Sequence, residues 1–135
     1  MDYRVVTSDF AVAPQISPEN IKEIKALGYV AIINNRPDHE VEGQPTSEEI
    51  RVLVEDAGLD YYFLPIQSGS LPMEAVEQTK ELIAKIDGPA FAYCRSGTRS
   101  ITLWAFSKIG QTETQEVINS VEKAGYNLPF LQNYL

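Results

Sequence analysis

The chain of 135 residues contains one cysteine and one histidine. A single cysteine excludes an intramolecular disulfide, and with a single histidine it cannot build a Cys/His zinc cage. The sequence therefore calls for no metal and no organic cofactor. Long apolar runs are also missing: no stretch reaches the roughly 18 residues that identify a membrane-spanning helix. The opening Met1-Asp2-Tyr3-Arg4 lacks the basic and apolar regions of a secretion signal. The resulting expectation is a cytoplasmic protein without membrane contact. Positive charge is scarce, with 11 Lys and Arg against 19 Asp and Glu and a net charge of -8. Such a chain is repelled by nucleic-acid backbones and anionic membranes, which are bound through basic faces that release counterions. Nucleic acid is excluded as a partner on that ground.

What is present is ordinary for a globular protein: 44% hydrophobic and 22% charged residues, in a length suited to one domain spanning residues 1–135. The distribution of positive charge is less ordinary. Only five arginines occur, and two of them, Arg95 and Arg99, lie within the six residues Cys94-Arg95-Ser96-Gly97-Thr98-Arg99. A local basic spot in an acidic chain predicts a small anionic ligand.

Strand and helix signals alternate. Residues 3–6 and 10–13 are short strand candidates. Ser17 with Pro18 reads as a helix start, followed by Ile21, Ile24 and Leu27 on one face and a stop at Gly28. Residues 29–33 form an apolar run expected to be covered on both faces. Thr46-x-x-Glu49 reads as a reciprocal capping box ahead of a helix with Ile50, Leu53, Val54 and Ala57 on its apolar stripe. A strand over 61–66 follows, then a helix with Pro72 in its first turn. Residues 89–93 form another strand leading into Cys94. An almost wholly apolar helix over 100–109 comes next, and Thr112-x-x-Gln115 opens a last helix ending at Gly125. This alternation predicts an α/β domain with a mostly parallel sheet covered on both sides, whose ligands bind beyond the carboxyl ends of the strands.

Cys94 stands at such an end. A strand, a glycine-containing loop and a helix start bring loop N–H groups and the positive end of the helix dipole to one point. A thiol placed there beside cations is in the setting that makes cysteine a nucleophile. Arg99 can offer an oxyanion a planar fork of donors, which lysine cannot. Arg95, Ser96, Gly97, Thr98 and Ser100 complete the predicted anion cradle, the hydroxyls being placed to hydrogen-bond the sulfur or assist its departure. A packing cysteine would need none of these neighbours.

The segment Phe91-Ala92-Tyr93-Cys94-Arg95-Ser96-Gly97-Thr98-Arg99-Ser100, with Asn35-Arg36-Pro37-Asp38-x-Glu40 and Ala124-Gly125-Tyr126, is similar to the phosphatase-like domain of bacterial beta-lactamase-hydrolase-like proteins. The resemblance covers nearly the whole chain. It implies a protein tyrosine or dual-specificity phosphatase-like fold, a three-layer α/β domain, in a family whose members are described both as phosphatases and as sulfurtransferases. Phosphatases of that fold separate cysteine and arginine by five residues, whereas four lie between Cys94 and Arg99, as in rhodanese-type sulfurtransferases. The histidine that often precedes the phosphatase cysteine is Tyr93. The stretch matching the phosphatase general-acid loop, Pro65-Ile66-Gln67-Ser68-Gly69-Ser70, contains no acid.

The expected activity is therefore thiol-dependent sulfur transfer through a Cys94 persulfide, from a small anionic sulfane-sulfur donor to a thiol acceptor. A cysteine-dependent phosphatase acting on a phosphate ester through phosphocysteine is the alternative, and a non-catalytic anion sensor ranks third. Asp38, His39 and Glu40 are the remaining sources of a proton donor, although a solvated charged loop is the simpler expectation for them. Arg36 would brace that loop through Asp38 or Glu40.

Overall fold

Side chains alternate between the two faces of a strand, and the strands of this protein use that alternation to match size. The computed structural model describes residues 1–135. It contains strands β1 (Arg4–Thr7), β2 (Phe10–Ala13), β3 (Ala31–Asn34), β4 (Asp60–Phe63) and β5 (Ala90–Tyr93) in one sheet, ordered β1-β2-β5-β3-β4. β5 is central and runs parallel to β2 and β3, β3 is parallel to β4, and only β1 is antiparallel to its neighbour. In the β2–β5 register Phe10 faces Ala90, Ala11 faces Phe91, Val12 faces Ala92 and Ala13 faces Tyr93. Each large side chain thus has an alanine beside it on the same face. Both layers stay filled without crowding.

Phe91, Tyr93, Ala11, Ala13 and Ile32 project into one core layer, with Ile21 and Ile24 of α1 (Pro18–Ala26) and Ile50 and Val54 of α2 (Ser47–Asp56). Phe10, Val12, Ile33, Ala90 and Ala92 face the other. There they meet Ile101, Trp104 and Ala105 of α4 (Thr98–Lys108) and Val117, Ile118 and Val121 of α5 (Thr114–Lys123). Helix α3 (Met73–Lys85) packs beside α4 through Ala75, Val76 and Leu103. The layering follows from handedness. β2-α1-β3 and β3-α2-β4 cross the sheet in one direction, whereas α3 returns from edge strand β4 to the centre. A right-handed return must use the opposite face.

The mostly parallel, doubly covered sheet agrees with expectation, and the element boundaries show where local forces differ. Ser17 and Asn20 form a capping box at α1. At α2 only half of the predicted box exists: Thr46 accepts from the Glu49 N–H, while the Glu49 carboxylate does not return the bond. Leu27 and Leu53, expected on apolar faces, are exposed; Leu27 is a C-cap beyond the helix proper. β4 ends at Phe63, short of the predicted 66. Pro72 is the N-cap of α3, one residue before its first turn. Thr112 does not open the last helix: its N–H closes a turn on the Lys108 carbonyl, and α5 starts after Glu113. A 3-10 helix over Pro129–Tyr134 has no counterpart in the sequence expectations. No helix is long and apolar enough to cross a membrane.

Phe91 is fully buried between the rings of Tyr3 and Tyr29, with centroid separations of 5.9 and 5.4 Å. Phe91→Ala is expected to cost about 3–5 kcal/mol, read as a lowered midpoint in urea unfolding. A loss below about 1 kcal/mol would show that the central strand does not depend on this layer.

Candidate active site

β5 ends at Tyr93, and the next residues are fastened to both neighbouring strands. The Tyr93 carbonyl accepts from the Asn35 N–H at 2.8 Å, Cys94 N–H donates to the Ala13 carbonyl at 3.3 Å, and the Arg95 carbonyl accepts from Gln15 N–H at 3.4 Å. The chain then turns through Gly97, whose φ of 90° is the left-handed conformation that glycine adopts freely, and enters α4. This turn sends the Gly97 N–H onto Cys94 Sγ at 3.1 Å. The N–H groups of Arg95, Ser96, Arg99 and Ser100 find no acceptor within the protein. They are the free donors expected of a loop followed by the first turn of a helix. Cys94 is fully buried. Reaction at its sulfur therefore requires the enclosing loop to shift.

Arg99 reaches into this loop from α4, and a carboxylate far away in sequence fixes its orientation. Its Nη1 and Nη2 donate to Glu40 Oε2 and Oε1 at 2.8 and 2.9 Å, and Nη1 also donates to the Ile66 carbonyl at 3.0 Å. Three of the five guanidinium donors are thereby used. The Nε–H and one Nη2–H remain, side by side on the other edge of the plane. Glu40 also accepts from Arg36 Nε at 2.9 Å, and Arg36 Nη1 donates to Gln15 Oε1 at 2.9 Å. Arg36 is 4% exposed, Arg99 11% and Glu40 17%. The hydrogen bond from Arg99, with Arg36 adding to it, holds the Glu40 carboxyl at about 2, well below its ordinary 4.5. Arg99 is correspondingly pushed up, foremost by Glu40, with the charge of Cys94 adding to the effect.

The other predicted residues divide. Arg95, Ser96 and Thr98 are exposed. Ser96 Oγ donates to Thr98 Oγ1 at 3.1 Å, and Ser100 Oγ is buried without a partner. None of these hydroxyls bonds the sulfur, so the expected role falls in this structure to the Gly97 amide. Asp38 does not brace Arg36; it caps α2 by accepting from Ser47 N–H at 2.7 Å. His39 is exposed. Arg36 does brace the loop, through Glu40. Trp104 is a core residue.

Two contributors carried no assigned role in the sequence. Gln15 ties Arg36 to the root of the loop. Tyr126 donates to the Ser96 carbonyl at 2.9 Å and lies so close to Gly97 that an added Cβ would stand 2.2 Å from its hydroxyl. Burial, then the charge of Cys94, pushes its phenol up. The Ala124-Gly125-Tyr126 motif marked the place, but nothing local in it points to the loop.

A cysteine loop joining the central parallel strand to a buried helix, at the carboxyl end of a sheet covered on both faces, defines the class of protein tyrosine and dual-specificity phosphatase-like folds. The structure of PTPMT1 is similar, with a TM-score of 0.73, 14% identity, and coverage of 98% of this chain and 90% of that one. A Neisseria meningitidis protein described as a candidate phosphatase matches with a TM-score of 0.84 and 31% identity, covering 97% and 94% of the two chains. The family described as "Beta-lactamase hydrolase-like protein, phosphatase-like domain" matches residues 2–111, and the chain belongs to it. A beta-lactamase hydrolase-like protein of Agrobacterium fabrum is 27% identical over 125 residues, which are 91% of this chain. The chain spans only 29% of that relative's length.

The depressed Glu40 carboxyl makes stability depend on acid. A carboxylate held below its ordinary value stabilises the fold fully above about 4.5, and this contribution is lost as pH falls toward about 2. Urea midpoints of the natural protein should decline across that window more steeply than those of Glu40→Gln; parallel profiles would contradict the clamp. At Gly97, substitution by alanine forces a left-handed residue with a side chain, at about 1–2 kcal/mol, and displaces Tyr126. Tyr126→Phe removes the clashing hydroxyl, so the double variant should lose less stability than the sum of the single ones. Strict additivity in thermal unfolding would disprove the contact.

Proposed function

We propose that the protein is a thiol-dependent sulfurtransferase that carries sulfur as a persulfide on Cys94. The family and fold establish a cysteine-loop, phosphatase-like scaffold. The observation that favours sulfur transfer on it is the lack of a carboxyl or imidazole free to donate a proton beside the loop. Glu40 is clamped ionised between two arginines, Asp38 caps a helix, and the groove bordering the loop is lined by fifteen residues without a carboxylate or histidine. Cleaving a phosphate ester releases an alkoxide or phenoxide, for which a general acid contributes about 10²- to 10⁴-fold. Sulfite, sulfinate and thiolate leave without one.

In the proposed cycle the Cys94 thiolate attacks the terminal sulfur of a donor such as thiosulfate. The new bond joins Sγ to that sulfur, the old S–S bond breaks, and its electron pair departs with sulfite. An acceptor thiolate then attacks the outer sulfur of the persulfide, takes it as its own persulfide, and returns Cys94 as thiolate. The N–H groups of Arg95, Ser96, Arg99 and Ser100 and the free edge of Arg99 stabilise the anions, while Arg95 guides donor and acceptor. Four residues between Cys94 and Arg99 enclose a small ring of donors, better suited to one terminal sulfur than to three equatorial phosphoryl oxygens. A phosphatase using the same residues through phosphocysteine is the second reading. The likeness to phosphatase structures supports it, and without an acid it would be confined to esters with good leaving groups.

Intact mass after incubation with thiosulfate should show the gain of one sulfur, absent in Cys94→Ser and discharged by added thiol. Arg99→Lys keeps the charge but loses the planar donor edge, so loading should fall about 100-fold. Inserting one residue between Gly97 and Arg99 should raise phosphate-ester hydrolysis relative to sulfur transfer. If the natural loop hydrolyses phosphate esters and gains no sulfur, the phosphatase reading replaces this one.

A further inference from the structure

Beside the cysteine loop runs a groove of about 470 Å³, larger than a lone inorganic anion fills and within the usual range for organic ligands. It meets the loop at Arg95, Ser96, Thr98 and Arg99, while Cys94 itself is not among its lining residues. From there it follows α4. Thr98, Thr102 and Phe106 all line it and stand four residues apart on one helix face, so it extends about 12 Å from the loop. Polarity changes along that path. Thr102 spends its hydroxyl on the Thr98 carbonyl at 2.7 Å. At the far end Phe106 stacks on Phe130 at 5.4 Å between centroids and meets the edge of Tyr134 at 5.7 Å. Leu71 and Leu128 add aliphatic surface.

The charge at the near end is equally one-sided. Arg4, Arg36, Arg51 and Arg99 each pair with a carboxylate, and Arg95 alone has none. Its free guanidinium borders the groove in a chain of net charge -8. The groove therefore offers donors and positive charge where it touches the loop, and an aromatic slot about 12 Å away.

We propose that this groove takes the aromatic or alkyl body of an organic anion whose charged head rests on the cysteine loop. Resting on the sulfur-transfer reading, this makes the donor an organic sulfane-sulfur compound, a thiosulfonate or persulfide with an apolar body, in place of inorganic thiosulfate. With a thiosulfonate, the Cys94 thiolate bonds to the terminal sulfur, the bond from that sulfur to the sulfonyl sulfur breaks, and its electron pair leaves as sulfinate. Neither proton donor nor external oxidant enters. The apolar body lies in the groove and holds the terminal sulfur near the loop before the loop shifts to admit it.

Binding and transfer are tested separately. By calorimetry, naphthalene-2-sulfonate, which carries no transferable sulfur, should bind at least about tenfold tighter than methanesulfonate, because burying the ring surface contributes on the order of 1.4 kcal/mol or more. Phe130→Ala, which removes part of the slot, and Ser70→Trp, which fills it, should each bring the ratio toward one, with circular dichroism showing both folded. For transfer, mass spectrometry follows sulfur gain on Cys94 from sodium benzenethiosulfonate and sodium methanethiosulfonate, each rate divided by that reagent's rate with free cysteine. The arene reagent should keep about a tenfold advantage, lost in the same two variants. Equal affinity for the two sulfonates, or a ratio that neither variant moves, overturns the groove's role. A normal binding ratio with no sulfur gain from either reagent leaves the groove assigned and overturns the sulfur-transfer reading instead.

Discussion

A single carboxylate shared by two guanidiniums organises the carboxyl end of the sheet. Glu40 accepts from Arg36 and from both terminal nitrogens of Arg99, and all three side chains are largely removed from water. Counting charges, the trio carries one positive charge in excess. Uncompensated charge in a largely buried site is costly, so the free edge of Arg99 is the place where a negative group would complete the cluster. The charge of Cys94 is among the causes that push Arg99 up. The clamp also orders the loop after β3, because Glu40 can reach Arg99 only with residues 35–40 folded over the end of the sheet. Asn35 contributes through its backbone bond to Tyr93, and Asp38 by capping α2.

The same interaction limits the chemistry. A carboxyl held at about 2 is an anion at neutral pH, and its oxygens are already committed to arginine donors. It serves orientation, and proton transfer is closed to it. Segment 66–71, which borders the loop where an acid could approach a leaving group, presents Ile66, Ser68, Gly69, Ser70 and Leu71 to the groove. This agrees with the proposed sulfur transfer, in which the leaving group departs as a stable anion. The scaffold is phosphatase-like, and a fold alone does not determine the reaction it carries.

Much of this was legible from local pattern, because local forces determine it. The boundaries of β2, the Ser17-Pro18 start of α1 and the strand-loop-helix around Cys94 follow from turn chemistry and apolar periodicity, and each survives in the structure. What could not be read is tertiary. Glu40 and Arg99 are 59 residues apart, and sequence spacing left Arg36 an open choice between Asp38 and Glu40. Asp38 was lost to that role because the first N–H groups of α2 need an acceptor, and it is the nearest one. The groove wall formed by Phe130 and Tyr134 belongs to a 3-10 helix with neither apolar periodicity nor a cap signal. Thr112 shows the converse: its capping pattern is present, but the residue belongs to the turn after α4 and Glu113 takes the N-cap position.

Loop length and sulfur environment are linked through Gly97. With only four residues between Cys94 and Arg99, the chain must reverse within one turn to enter α4, and a left-handed residue does this. The reversal points the Gly97 amide at the sulfur, so one donor of the loop is already committed to Sγ. The remaining free amides fall into two pairs, Arg95 with Ser96 before the turn and Arg99 with Ser100 after it. Tyr126, bonded to the Ser96 carbonyl on the far side, limits widening of the loop, so its small size is held by tertiary contact as well as by its length.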